Sequence, residues 1–176
     1  MISVKQLTLT TLLLTTGLFA MNDSTAPIIS LELKSGTVKI QTKPDVAPKH
    51  VERISQLVQE GFYDGLTFHR VIDGFMAQGG DPRGDGTGGS GTNIPAEFSQ
   101  EKHKRGTASM ARAQDPNSAD SQFFICFEEA PFLDGQYTVW GEVIEGMEFV
   151  DQIKRGSGHS GSVAEPDQIV SAKLST

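Results

Sequence analysis

The chain has 176 residues, 37% of them hydrophobic and 21% charged. That composition suits one globular domain with a real core and leaves no room for two. A formal net charge of −7 weighs against nucleic-acid binding, which needs a basic face. The single cysteine excludes an internal disulfide and a cysteine-based zinc site.

Lys5 is the only charge in the first 22 residues, and an apolar, threonine-diluted stretch follows it. The stretch is too short and too polar for a membrane span, so no stable membrane insertion is expected. A basic start and a short apolar run outline a secretory signal in residues 1–20, which implies export to the periplasm. The cleavage region is poor, with Leu18 three positions before a cut after Ala20. The alternative is a cytoplasmic protein whose translation starts at Met21. Residues 21–176 then form the single domain.

From Ile28 onward the pattern is mostly short strands. Residues 28–33 and 37–42 flank Lys34-Ser35-Gly36, a hairpin signal. Asp45 is placed to cap a helix with Pro48 in its first turn. Val51, Ile54, Leu57 and Val58 recur at helical spacing, and Gly61 ends the run. Strands are predicted at 66–72, 76–79, 106–111, 121–127, 137–144 and 168–174, with a second helix over 147–154. Strict alternation over 66–72 puts Phe68, Arg70 and Ile72 on one face. About eight strands with short or Gly-rich links favour antiparallel pairing. The expected fold is therefore mainly β, a closed eight-stranded antiparallel barrel capped by two α-helices.

Two irregular stretches are rich in special residues, residues 79–91 and 112–120, and long structured loops are often functional. The first is a poor phosphate cradle, lacking the Gly-Lys-Ser/Thr ending and carrying Asp81 and Asp85. It is also a poor calcium loop, with Arg83 at position 3 and Thr92 at position 12. The four histidines show no metal-ligand spacing, Ser90 misses the nucleophile-elbow pattern, and Cys126 inside an apolar run reads as buried and inert. No metal or cofactor is expected. What remains is Arg70 set among bulky apolar residues, in Phe68-His69-Arg70-Val71-Ile72-Asp73-Gly74-Phe75-Met76-Ala77-Gln78-Gly79-Gly80-Asp81.

That segment resembles the signature of the cyclophilin-type peptidyl-prolyl isomerases, in their bacterial form. Gly106-Thr107-Ala108-Ser109-Met110-Ala111, Ser121-Gln122-Phe123-Phe124-Ile125-Cys126 and Phe132-Leu133-Asp134-Gly135 resemble the same family, in order, from about Ile28 to the C-terminus. The resemblance implies that Arg70 is the catalytic residue and that Phe75, Met76, Phe124 and Leu133 line a proline pocket. It implies that Gln78 and Gln122 contact substrate, that Ala111 and the Arg112 backbone pair with its main chain, and that Gly86 closes one side. Phe132 and Tyr137 stand where the eukaryotic pattern has tryptophan and histidine, and Arg112 where it has asparagine. An aromatic wall survives, but Phe132 offers no N–H donor, so weak cyclosporin binding is expected. The expected partners are proline-containing polypeptides, and the expected state is a monomer.

The chemistry agrees with the lack of triads and metals. Turning a peptide bond costs ~18–20 kcal/mol because it breaks amide resonance. In the twisted state the prolyl nitrogen regains a lone pair, and a fixed guanidinium can donate to it. That is differential stabilisation of the transition state, with no proton lost and no covalent intermediate. The competing reading is a peptide-binding or chaperone module using the same groove without turnover, and a metal-binding structural protein stands behind both.

Overall fold

The computed structural model describes residues 26–175, so the segment read as a signal or extension, residues 1–20, lies outside it. In β1 (Ile28–Leu33) burial alternates, with Ile29, Leu31 and Leu33 inward. In β2 (Gly36–Thr42), Val38 and Ile40 face the same core. The two pair antiparallel around Lys34 and Ser35, with Leu33 opposite Gly36. Helix α1 (Pro48–Gln59) lays Val51, Ile54, Leu57 and Val58 on that core, as its periodicity predicts.

The start of α1 corrects an expectation. Asp45 sits in a turn ahead of the helix, and Ala47 occupies the cap position with no capping side chain. The cap comes from far away in sequence. Glu97 accepts the Lys49 N–H on Oε1 and the His50 N–H on Oε2, each at 3.0 Å. A carboxylate there answers both the unpaired N–H groups and the positive end of the helix.

The remaining strands are β3 (Arg70–Ile72), β4 (Met76–Gly79), β5 (Thr107–Met110), β6 (Phe123–Cys126), β7 (Val139–Glu145) and β8 (Ile169–Ser175), with a short helix α2 (Met147–Val150) before β8. They form one antiparallel sheet in the order β3-β4-β6-β5-β7-β2-β1-β8. The expected closed barrel is thus corrected to an open, curled sheet. Among the described residues no ladder joins its end strands β3 and β8. Instead the Gly65 N–H donates to the Ile169 carbonyl, the Ile169 N–H to Leu66, and the Phe68 N–H to Asp167. The cause is an interruption of the strand before Arg70, where Thr67 makes only isolated bridges to Asp81 and Gln168.

The same break moves side chains. Phe68 and Val71 are both fully buried in the main core, which an unbroken strand would place on opposite faces. Phe68 therefore does not share a face with Arg70, as strict alternation had suggested. Arg70 and Ile72 are left together on the outer face. The predicted helix over 147–154 is also shorter than expected. Arg155 Nη1 donates to the Asp151 and Ile153 carbonyls at 2.7 Å each, satisfying carbonyls just past the helix end in a turn.

Beyond the main core, a second apolar cluster lies on the outer face of the sheet. Met76, Phe124, Cys126, Ala130 and Leu133 are buried there, with Ile72, Phe75, Ala111 and Tyr137 packed against them. Among the described residues no helix is long and apolar enough to cross a membrane.

Candidate active site

The register of the sheet aligns the outer-face residues in rungs. Arg70 stands opposite Gln78, Gln78 opposite Phe124, and Phe124 opposite Ser109. The next rung runs Ile72, Met76, Cys126. Period-two alternation sends Ala77, Phe123 and Ile125 to the main core and leaves Met76, Gln78 and Phe124 on the outer side. A polar pair, Arg70 and Gln78, is thereby set beside an apolar hollow of Met76, Phe124 and Leu133.

Arg70 is held from two sides. Its Nη1 donates to Gln78 Oε1 at 3.1 Å, and its Nε donates to the Ser160 carbonyl at 3.0 Å. Gln78 Nε2 donates in turn to Gln122 Oε1 at 3.0 Å. Gln122 Nε2 donates to the carbonyls of Gly86 and Gly88 at 3.0 and 2.8 Å. The guanidinium makes no ion pair with a carboxylate among the described residues, and its Nη2 takes no partner there.

A groove of about 760 Å³ opens over this rung. Arg70, Phe75, Met76, Gln78, Gly86, Ala111, Arg112, Phe124, Phe132, Leu133 and Tyr137 all line it, so eleven of the twelve residues singled out from sequence meet in one place. Gln122 is the exception. It borders an adjoining polar hollow of about 300 Å³, its amide committed to Gln78 and the glycine carbonyls. Phe132 forms the rim, 63% exposed, with its ring centroid 5.3 Å from that of Phe75. The Ala111 N–H donates to the Gln122 carbonyl, while the Arg112 amide and carbonyl make no hydrogen bond among the described residues.

The Arg112 side chain turns back on the protein. Nε and Nη2 both donate to the Gln136 carbonyl, Nη1 donates to the Ala113 and Gln114 carbonyls, and the guanidinium lies 4.7 Å from the Tyr137 ring centre. Tyr137 meets Phe124 edge-on at 6.0 Å, and Phe124 stacks on His103 at 6.1 Å. His103 Nδ1 lies 3.1 Å from Asp134 Oδ1, and Nε2 lies 2.9 Å from Ser109 Oγ. This is the order of a hydrolytic triad, but Ser109 and His103 are 0% and 2% exposed. No substrate can reach the hydroxyl, and the row instead braces Phe124 from behind. Burial also pushes the Cys126 thiol up to about 12, leaving it protonated and inert.

The Gly-rich loop is held by two carboxylates. Asp81 accepts backbone N–H groups from Arg83, Asp85 and Gly86, and Asp120 accepts those of Ser90 and Gly91. Burial opposes the charge on Asp81, but these N–H groups prevail and hold its carboxyl below the usual range. Asp81 and Asp85 thus have separate roles. Asp81 caps the backbone, and Asp85 serves the Thr87 N–H and hydroxyl.

Six lining residues were not singled out from sequence, namely His69, Gly84, Asp85, Gln136, Ser160 and Ser162. His69 is 8% exposed and neither ring nitrogen has a partner; desolvation lowers its pKa. The two serines belong to a loop whose composition carries no periodic signal. Alternation gives no signal for His69, because it places that residue on the face away from Arg70.

The residues 28–174 match the family model of the cyclophilin type peptidyl-prolyl cis-trans isomerases/CLD. A probable peptidyl-prolyl cis-trans isomerase of Brucella abortus is 53% identical over 159 residues, covering 83% of this chain and 81% of the relative. Peptidyl-prolyl cis-trans isomerase B of Bacillus subtilis is 46% identical over 121 residues, 68% of this chain and 84% of the relative. Among solved structures, a Cryptosporidium parvum cyclophilin crystallised in the presence of the dipeptide Ala-Pro superposes with a TM-score of 0.77 at 30% identity, covering 85% of this chain and 99% of that one. The rung geometry, the groove and these likenesses agree, and the chain belongs to the cyclophilin-type peptidyl-prolyl cis-trans isomerases.

Proposed function

We propose that Arg70 accelerates rotation about the Xaa-Pro bond by donating from its free Nη2 edge to the prolyl nitrogen as that nitrogen pyramidalises. The proline ring sits in the hollow of Met76, Phe124 and Leu133, with Phe75 and Phe132 over its outer side. The Arg112 amide and carbonyl pair with the substrate main chain. The observation that carries this reading is the guanidinium itself, tied at Nε and Nη1 and unpartnered at Nη2, on the wall of an apolar hollow. A donor fixed before reaction needs no reorganisation when the charge develops. Proline-containing polypeptides are the substrates, in keeping with the Ala-Pro dipeptide named with the Cryptosporidium relative. Phe132, lacking an N–H, leaves cyclosporin binding weak.

Energetics set what each part contributes. Shortening a ~100 s exchange to ~1 ms requires about 7 kcal/mol. One charge-assisted hydrogen bond supplies ~1.5–3 kcal/mol, so the rest comes from desolvation and from holding the flanking backbone. The test is a protease-coupled isomerisation assay on an Ala-Pro tetrapeptide. Wild type accelerates it at substoichiometric amounts, and Arg70→Ala keeps its circular dichroism spectrum while losing roughly 10²–10³ in kcat/KM. Near wild-type turnover in Arg70→Ala would overturn the role of Arg70, and binding without turnover in the wild type would favour a peptide-binding module.

A further inference from the structure

We infer that the loop of residues 156–162 is a strap that positions Arg70, with the Ser160 carbonyl fixing Nε so that the guanidinium presents Nη2 to the bound prolyl bond. This rests on the role proposed for Arg70 and adds a second anchor to the one Gln78 supplies. Ser160 acts through Arg70, so it is a positioning residue.

The geometry of the loop's neck carries the inference. The neck is docked on the open edge of β3. The Val71 N–H donates to the Gly161 carbonyl at 2.8 Å, and the Gly156 N–H donates to the Val71 carbonyl at 2.9 Å. The Val163 N–H donates to the His69 carbonyl, the Ser157 N–H donates to the Ser162 carbonyl, and Arg70 and Ser162 form a bridge. The residues on both sides of Arg70 are thus pinned to the same loop that supplies the acceptor for its side chain.

The neck also explains two glycines. Gly161 has φ +71, and a Cβ there would lie 2.4 Å from Ile72 Cγ1 and 3.1 Å from the Val71 carbonyl oxygen. A Cβ on Gly156 would fall 1.9 Å from the Gly161 carbonyl oxygen. Only bare backbone lets the loop close this tightly on β3, and only that approach brings the Ser160 carbonyl within 3.0 Å of Nε. The tip is different, since a Cβ on Gly158 would meet nothing within 4 Å and His159 is exposed. The neck does the fixing and the tip is free to vary.

Two bonds on one guanidinium leave little choice of orientation. With Nε on one loop and Nη1 on Gln78, the plane of the group is set, and its remaining Nη2 edge is the part left for substrate. Losing the Ser160 acceptor leaves the head attached through Nη1 alone and free to swing. Substrate should still bind, because the hollow and the Arg112 backbone are untouched. The cost falls on kcat.

The test uses the full chain. In the wild type, the Arg70 Nε–H resonance, assigned by its disappearance in Arg70→Lys, should exchange slowly with water and stand apart from exposed arginines. Gly161→Ala should shift it toward the exposed position and lower kcat about tenfold, the loss expected for one charge-assisted bond, with KM little changed. In the Arg70→Lys background the same substitution should add no further loss, and His159→Ala should leave turnover unchanged. An Arg70 Nε–H in fast exchange in the wild type overturns the strap, as does a full additional loss in the Arg70→Lys background. Should Gly161→Ala fail to fold, the exchange of the Arg70 Nε–H in the wild type decides alone. Undiminished turnover in Arg70→Lys would strike the proposed role of Arg70 instead, which keeps the two failures apart.

Discussion

The two walls of the groove are held by different forces. The apolar wall is carried on β4 and β6, where Met76 and Phe124 are 1% and 5% exposed and belong to a packed cluster beside the sheet. The polar wall is carried on loops around Gly86, Arg112 and Ser160, and its shape is kept by carboxylates, amides and guanidinium groups bonded to backbone. Packing is non-directional and shared among many atoms, whereas each loop contact is directional and made once. Damage to the first wall therefore spreads into the fold, and damage to the second stays local.

Phe124→Ala tests the first half of that contrast and should have the largest effect on stability. It empties a position packed against His103 and Tyr137 and opposite Gln78 and Ser109. A loss of ~3–5 kcal/mol is expected in denaturant unfolding, together with a fall in kcat/KM. A variant that lost activity with unchanged unfolding would show that the apolar wall is separable from the sheet.

Asp81→Ala tests the second half and should be milder. Three loop N–H groups lose their acceptor, at a cost of ~1–3 kcal/mol, less where water replaces the carboxylate. Because Gly86 borders the groove while the hollow is untouched, KM for a proline peptide should rise more than kcat falls. Steady-state kinetics on a tetrapeptide with thermal unfolding of the same sample would check this. Equal losses in stability and kcat would mean that the loop and the sheet fold as one unit.

The same contrast explains what could be read from the sequence. Periodic burial writes itself into residue order, so β1, β2 and α1 are legible with ends shifted by one or two residues, whereas the members of the apolar wall come only through the family resemblance. Long-range polar contacts leave no such trace. Nothing near residue 48 announces Glu97 as the cap of α1, and nothing in residues 156–162 announces the acceptor for Arg70. The family resemblance named twelve residues, eleven of which line one groove, but it did not point to the loop of Ser160. Phe68 failed for the opposite reason, because alternation was extended across a break that only the seam with residues 167–169 reveals.

The smallest expected effect is a dependence of stability on pH, and it draws on both walls. His103 braces Phe124 on the apolar side, and His69 sits beside Arg70 at the edge of the loop side. With His50 under Glu97, these are the three buried histidines. Burial disfavours the charged form in all three and lowers each pKa from 6.5, outweighing the raising influence of Asp134, Asp81 and Glu97 respectively. The unfolded chain then binds more protons than the native one as pH drops below about 6.5, so stability falls with acidification through that window. Asp81, Glu97 and Asp134 have depressed pKa values, and their contribution, present above the ordinary carboxylate range, is lost only at still lower pH. Thermal unfolding followed by circular dichroism between pH 8 and pH 5 should show a Tm that declines toward the acid end. His69→Gln should flatten part of that decline at little cost near pH 8, since neither ring nitrogen of His69 has a partner to lose. A Tm level across the range would mean that the histidines stay as accessible to protons in the folded protein as in the unfolded chain, contrary to their burial.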